Sequence, residues 1–148
     1  MTDLRSVSMW WDSLGPPAEP RPALPGDIDV DVAMVGAGYT GLWTAHYLAS
    51  GVPGIRVAIV EANVAGFGAS GRNGGWCSAL FPTSMDRIAR TSSRDAAIAM
   101  QHALHGTVDE VGRVAAAAGL DNDWAQGGTV GLARTPVQLD RARDEVAH

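Results

Sequence analysis

Apolar positions along the chain fall into blocks with two different periods. Val32 to Val35 is a short continuous apolar run, and Val57 to Val60 is a second; both predict buried strands. Between them Leu42, Ala45, Leu48 and Ala49 share one helical face. Farther on, Ala97, Met100, Leu104, Val108, Val111, Ala115 and Ala118 recur three or four apart. That spacing predicts a long helix from Arg94 to Gly119, capped by Ser93 and stopped by Gly119. Gln126-Gly127-Gly128 leads into Thr129 to Arg134, a predicted strand. Thr135-Pro136-Val137-Gln138 then opens a last helix. Thr135 is its cap, Pro136 suits the first position, and Gln138 completes a capping box. Leu139, Ala142 and Val146 form its apolar stripe. Residues 82–93 read as a connection and 120–124 as a turn.

Residues 1–26 read as an arm. Gly15 to Gly26 holds five prolines, so this stretch is expected to run extended. Met9-Trp10-Trp11 is expected to strap across a bare part of the body, with docking to a partner as the alternative. The chain then divides into 27–93, a nucleotide-binding part, and 94–148, a long helix, a strand and the start of a second domain.

The strand–helix–strand block carries the chemistry. Its junction reads Gly36-Ala37-Gly38-Tyr39-Thr40-Gly41, a complete G-x-G-x-x-G, and the second strand ends in Glu61. Gly36 allows a tight turn out of the strand. Gly38 lets a pyrophosphate approach the backbone, and Gly41 lets the helix lie close to the sheet. The helix N-terminus offers free N–H groups and partial positive charge to phosphates. Glu61 lies about 20 residues past the last glycine, where a carboxylate meets a ribose 2′-OH and repels a 2′-phosphate. NADP is therefore the least favoured dinucleotide. The alternative is a glycine-rich turn in some other α/β domain with an ordinary surface acid.

Composition narrows the classes. The net charge of -5 over 148 residues argues against a nucleic-acid partner. No apolar run approaches bilayer-spanning length, so no membrane partner is expected. The first residues lack a basic segment followed by an apolar one, so they do not read as a secretory signal. One cysteine, Cys77, makes no internal disulfide, which fits a cytoplasmic location. It reads as a small buried apolar residue, with a covalent-flavin role as the alternative. His102 and His105 sit three apart on the long helix and read as surface residues, there being no third ligand for a metal. Asp109, Glu110 and Arg113 read as a solvated face.

After Glu61 and Ala62 comes a loop dense in glycine: Gly66-Phe67-Gly68-Ala69-Ser70-Gly71-Arg72-Asn73-Gly74-Gly75-Trp76. Long glycine-rich loops inside compact domains are often functional. Small residues let its backbone pack against a large flat ligand, and Ser70, Arg72 and Asn73 add donors. The alternative is a flexible surface loop. GAGYTGLWTAHYL, VAIVEA and GFGASGRNGGW together resemble the opening of FAD-dependent oxidoreductases of the D-amino-acid oxidase superfamily, in the branch of the gamma-glutamylputrescine-oxidase-like and glycine/sarcosine-oxidase-like enzymes. The resemblance runs from about Val30 to the last residue. It implies an α/β fold with a Rossmann-type FAD-binding core and the start of a substrate-binding α+β domain. By it, Gly36, Ala37, Gly38, Tyr39, Thr40 and Gly41 serve the FAD pyrophosphate, and Glu61 with Ala62 the adenosine ribose. Ala69, Ser70, Arg72, Asn73, Gly74 and Gly75 line the cofactor toward the flavin, with Arg72 a cation for pyrophosphate or reduced flavin or, alternatively, an exposed loop residue. No catalytic residue is carried over.

The resemblance implies oxidation of a C–H beside the nitrogen of a small amine or amino acid. It also implies that this chain is an N-terminal fragment, with an open sheet edge and a half-covered long helix. Poor solubility, self-association or a complementing C-terminal polypeptide is then expected. Two other readings remain: a dinucleotide-binding fragment without activity, and an NAD-dependent enzyme, which leaves GASGRNGG without a role.

Overall fold

A computed structural model describes residues 4–15, 19–128 and 130–147. The chain divides into two compact units, residues 1–76 and 77–148. The first contains helix α1 (Met9–Ser13), strand β1 (Val32–Val35), helix α2 (Tyr39–Gly51) and strand β2 (Val57–Val60). The second contains helices α3 (Met85–Thr91), α4 (Arg94–Ala117) and α5 (Pro136–Ala147). Among the described residues no helix is long and apolar enough to cross a membrane.

In the first unit β1 and β2 pair in parallel, in register from Val32 opposite Val57 to Val35 opposite Val60. Both strands have the residues that the two apolar runs predict but not the burial: their residues are half-buried or exposed, because a two-stranded sheet has few neighbours to cover it. Parallel strands need a crossover, and α2 is that crossover. It begins at Gly38, whose extended backbone serves as N-cap. It ends at Val52, also extended (φ -125°, ψ 100°), with Pro53 next; a residue before proline is driven out of the helical region.

The pair is fastened at its starting end by charge. The Asp31 carboxylate accepts from the Arg56 backbone N–H at 2.8 Å and from its guanidinium at 3.1 and 3.3 Å. Arg56 also donates to the Asp29 carbonyl at 3.1 Å. These contacts hold the Asp31 carboxyl below its ordinary value, the side-chain bond first and the backbone bond second. The outer side of β1 is bare, and Val35 is 95% exposed.

In the arm, residues 19–25 run without helix, as their prolines require; Pro16 and Pro17 lie outside the described residues. Met9–Ser13, by contrast, forms one short helical turn.

In the second unit α4 has both predicted caps. Ser93 Oγ accepts from the Ala96 N–H at 3.1 Å. At the other end Gly119 takes φ +63°, its N–H donates to Ala116, and the Leu120 N–H donates to Ala115. That pair of bonds is a Schellman closure. Ala97 and Ala115 are buried, while Met100 and Ala118 of the predicted stripe lie at the surface. α5 starts as its capping residues predict. The Gln138 N–H donates to Thr135 Oγ1 at 3.3 Å, and Gln138 Oε1 accepts from the Arg134 N–H at 2.7 Å, one residue before the cap.

Three expectations need correction. Residues 82–93 are not merely a connection, because Met85–Thr91 is helical and packs on α4. Ser84 caps it and Asp86 sits in its first turn, a local signal outweighed by the short length of the segment. The strand from Thr129 to Arg134 is not formed over residues 130–134, and Thr129 lies outside the described residues. A strand needs a neighbour's N–H and C=O groups, and no described strand runs beside this one; Val130 and Leu132 are both 84% exposed. Cys77 is exposed, because the segment around it is irregular and nothing packs over its thiol.

Glycine spacing in α2 gives a paired test. A Cβ on Gly41 would lie 2.2 Å from the Gly36 carbonyl oxygen, whereas one on Gly51 would meet nothing within 4 Å. Gly41→Ala is expected to destabilise the first unit by about 1–3 kcal/mol through overpacking against backbone. Gly51→Ala, at the helix end, is expected to stabilise it by about 0.5–1 kcal/mol. Urea unfolding of the two variants measures both signs.

Candidate cofactor site

The site is built on the turn between β1 and α2. Gly36 takes φ +97°, in the region L side chains rarely adopt, and its N–H donates to the Val60 carbonyl at 2.8 Å. That bond extends the ladder by one step and then turns the chain away from the sheet. Ala37, next in line, is 6% exposed. Its N–H donates to Glu61 Oε2 at 2.9 Å, and its carbonyl accepts from the Gly66 N–H at 2.9 Å. One residue is thereby tied to the end of β2 on one side and to the glycine-rich loop on the other.

Glu61 is held as a carboxylate. Besides Ala37, the Asn63 N–H donates to Oε1 at 3.0 Å. The Ala37 bond, then the Asn63 bond, hold its carboxyl below the ordinary value of 4.5. A carboxylate has about four lone-pair sites, so acceptor capacity remains beside these bonds.

The glycine-rich loop is not loose. Ala69–Gly71 forms a single 3-10 turn. Ser70 Oγ accepts from the Tyr39 N–H at 2.9 Å, and so caps α2 from outside its own sequence. A Cβ on Gly38 would stand 3.0 Å from that hydroxyl. The bare Gly38 therefore makes room for Ser70 as well as for any ligand. Thr40 and Gly41, in the first turn of α2, have no carbonyl within the helix to bond. Asn73 Nδ2 donates to Tyr39 Oη at 2.9 Å and to the Ser70 carbonyl at 2.8 Å, while Asn73 Oδ1 accepts from the Gly75 N–H at 2.8 Å.

Tyr39, Ala69, Ser70, Asn73, Gly74 and Trp76 surround a hollow of about 480 Å³ beside the helix N-terminus. Five of these six belong to the glycine fingerprint or to the loop residues that the sequence singles out; Trp76 does not, and sequence reasoning missed it. Its signal was the aromatic ring closing the GRNGG run. Arg72 stands apart from this group. Its Nε donates to the Phe67 carbonyl at 2.9 Å and its guanidinium stacks over the Phe67 ring at 4.8 Å, so it braces its own loop.

With this geometry in hand, the relatives are informative. The family model of the FAD dependent oxidoreductases, DAO, matches residues 31–148. The chain belongs to this family. Gamma-glutamylputrescine oxidoreductase of Escherichia coli (strain K12) is 42% identical over 78 residues, 53% of this chain and 18% of that protein. A probable oxidoreductase OrdL of Rhizobium meliloti is 44% identical over 66 residues, 45% of this chain and 15% of its own length. OrdL of Haemophilus influenzae is 32% identical over 97 residues, 66% of this chain and 22% of its own. The chain thus spans under a quarter of the length of these family members. No solved structure matches it.

The acid at the end of β2 gives a pH prediction. The Glu61 pKa is lower folded than unfolded, so its contribution to stability is complete above about pH 4.5 and is lost as pH falls through the folded value. Asp31 acts with the same sign from its ordinary 3.8. Glu61→Gln is expected to flatten the acid limb of the stability curve and leave the Asp31 part. Urea midpoints measured from pH 7 to pH 3 in both proteins test this; parallel curves would refute it.

Proposed function

We propose that this chain is the FAD-binding part of a flavoenzyme that oxidises the C–H bond next to the nitrogen of a small amine or amino acid. The observation that carries the dinucleotide half of the proposal is Glu61 hydrogen-bonded to Ala37 at 2.9 Å, a carboxylate fixed at the mouth of the glycine turn. The substrate half rests on the relatives, one of which is a gamma-glutamylputrescine oxidoreductase.

The residues present fit the cofactor. Glu61 keeps acceptor capacity for a ribose diol, and Ala62 follows it at the strand end. The first turn of α2 offers the Thr40 and Gly41 N–H groups and the positive end of the helix dipole to a pyrophosphate. Ser70 accepts one N–H there and keeps its own proton to donate to a phosphate oxygen. The hollow bounded by Tyr39, Asn73, Gly74 and Trp76 lies beside this helix N-terminus and would take part of the FAD beyond its pyrophosphate. Bound FAD supplies the two-electron acceptor, and the protein supplies position and electrostatics. In this reading β1, α2 and β2 are the first βαβ of a Rossmann-type sheet. The unpaired outer edge of β1 then has room for a further strand.

The test is direct. The purified chain is expected to bind FAD, with flavin absorption bands after gel filtration, and to bind ADP more weakly. Glu61→Ala is expected to weaken both by about tenfold or more, since a hydrogen bond to a charged group is lost. Binding of NAD without FAD would overturn the flavin reading, and unchanged ADP affinity in Glu61→Ala would remove Glu61 from the site.

A further inference from the structure

The arm meets the glycine-rich loop at three points. Ser8, only 8% exposed, donates through Oγ to the Gly71 carbonyl at 2.7 Å. Trp10 Nε1 donates to the Asn73 carbonyl at 2.7 Å. The Trp11 ring lies along Gly66 and Gly71; a Cβ on Gly71 would stand 3.2 Å from its Nε1. A Cβ on Gly75 would likewise stand 3.0 Å from the Trp10 ring. Gly75 thus leaves room for Trp10, and Gly71 first for the Gly66 carbonyl oxygen and then for Trp11. Trp11 Nε1 is buried and has no hydrogen-bond partner among the described residues, so that side chain acts by packing.

We propose that Ser8, Trp10 and Trp11 are positioning residues: they clamp the Gly66–Gly75 loop in the conformation that sets Ser70 on the N-terminus of α2. The cofactor part of this proposal rests on the flavin reading above. The chain of contacts is continuous. Ser8 holds Gly71, the neighbour of Ser70, and Ser70 caps Tyr39. Trp10 holds the backbone of Asn73, whose side chain bonds Tyr39 Oη and Ser70. A run this rich in glycine loses much backbone freedom on ordering, and two hydrogen bonds with a packed indole offset that loss before any ligand arrives.

The test uses the whole chain and the variants Ser8→Ala, Trp11→Ala and Trp11→Phe. Amide hydrogen exchange over residues 66–75 reads the clamp without ligand. In both alanine variants the loop is expected to exchange about fivefold faster or more, as for loss of one hydrogen bond or its packing equivalent, with β1 and β2 unchanged. Trp11→Phe is expected to keep wild-type rates, because it retains a packed ring and loses an N–H that has no partner. FAD affinity is expected to fall with loop protection and to recover in Trp11→Phe. ADP affinity is expected to fall less than FAD affinity, because Glu61 and the glycine turn stay in place and ADP loses only the set position of the Ser70 hydroxyl at its phosphates. Unchanged loop exchange in both alanine variants overturns the clamp. Faster exchange with unchanged FAD affinity overturns the positioning role. A wild-type chain that binds NAD but no FAD overturns the flavin reading, and loop exchange still decides the clamp by itself.

Discussion

The structure of the first unit depends on the way Ala37 is held. Its N–H is committed to Glu61 and its carbonyl to Gly66. A buried peptide group left unpaired costs free energy comparable to a lost hydrogen bond. The glycine turn therefore keeps its shape only while both the end of β2 and the start of the loop are in place. One acidic side chain orients the turn and still has free acceptor capacity, so the group that holds the fold is also one that can hold a sugar.

The rest of the sheet relies on equally few contacts. Each strand has only four residues, too few to fix a register by ladder bonds alone. Register is fixed at both ends by a carboxylate that reads the neighbouring backbone: Asp31 on the Arg56 N–H where the strands begin, Glu61 on the Ala37 N–H where they end. A slip by one residue breaks both. Both carboxyls titrate below their ordinary values, Asp31 first through the Arg56 side chain and then its N–H, Glu61 through the Ala37 and Asn63 N–H groups. Packing contributes less than is usual, since among the described residues buried apolar side chains are few and small: Ala37 and Val64 in this unit, Ala97 and Ala115 in the other.

What the sequence made legible was local. The two strands, α2, the Ser93 cap and the Gly119 stop all depend on residues within one turn or one apolar run. The placement of Glu61 was legible because the crossover has a nearly fixed length. The cap on α2 was not, because its hydroxyl comes from Ser70, 31 positions away from the Tyr39 N–H it accepts. Trp76 was missed as a site residue for the same cause, and the arm tryptophans were expected only as a strap over the body, since their partners are set by tertiary folding and not by spacing. The absent strand at residues 130–134 shows the converse limit. Val130 and Leu132 alternate with small residues as a strand would, yet pairing is a property of two segments, and the pattern reports one.

Glycine content misleads in the same way. The run from Gly66 to Gly75 reads as mobile if glycine is taken only as conformational freedom. At two of its glycines the space of the missing side chain is already used: at Gly71 by the Gly66 carbonyl and the Trp11 ring, at Gly75 by the Trp10 ring. Close approach removes the freedom that composition alone implies. A loop ordered in advance spends less of its ligand's binding energy on ordering. The same number of polar contacts then gives tighter and more specific capture of a ligand.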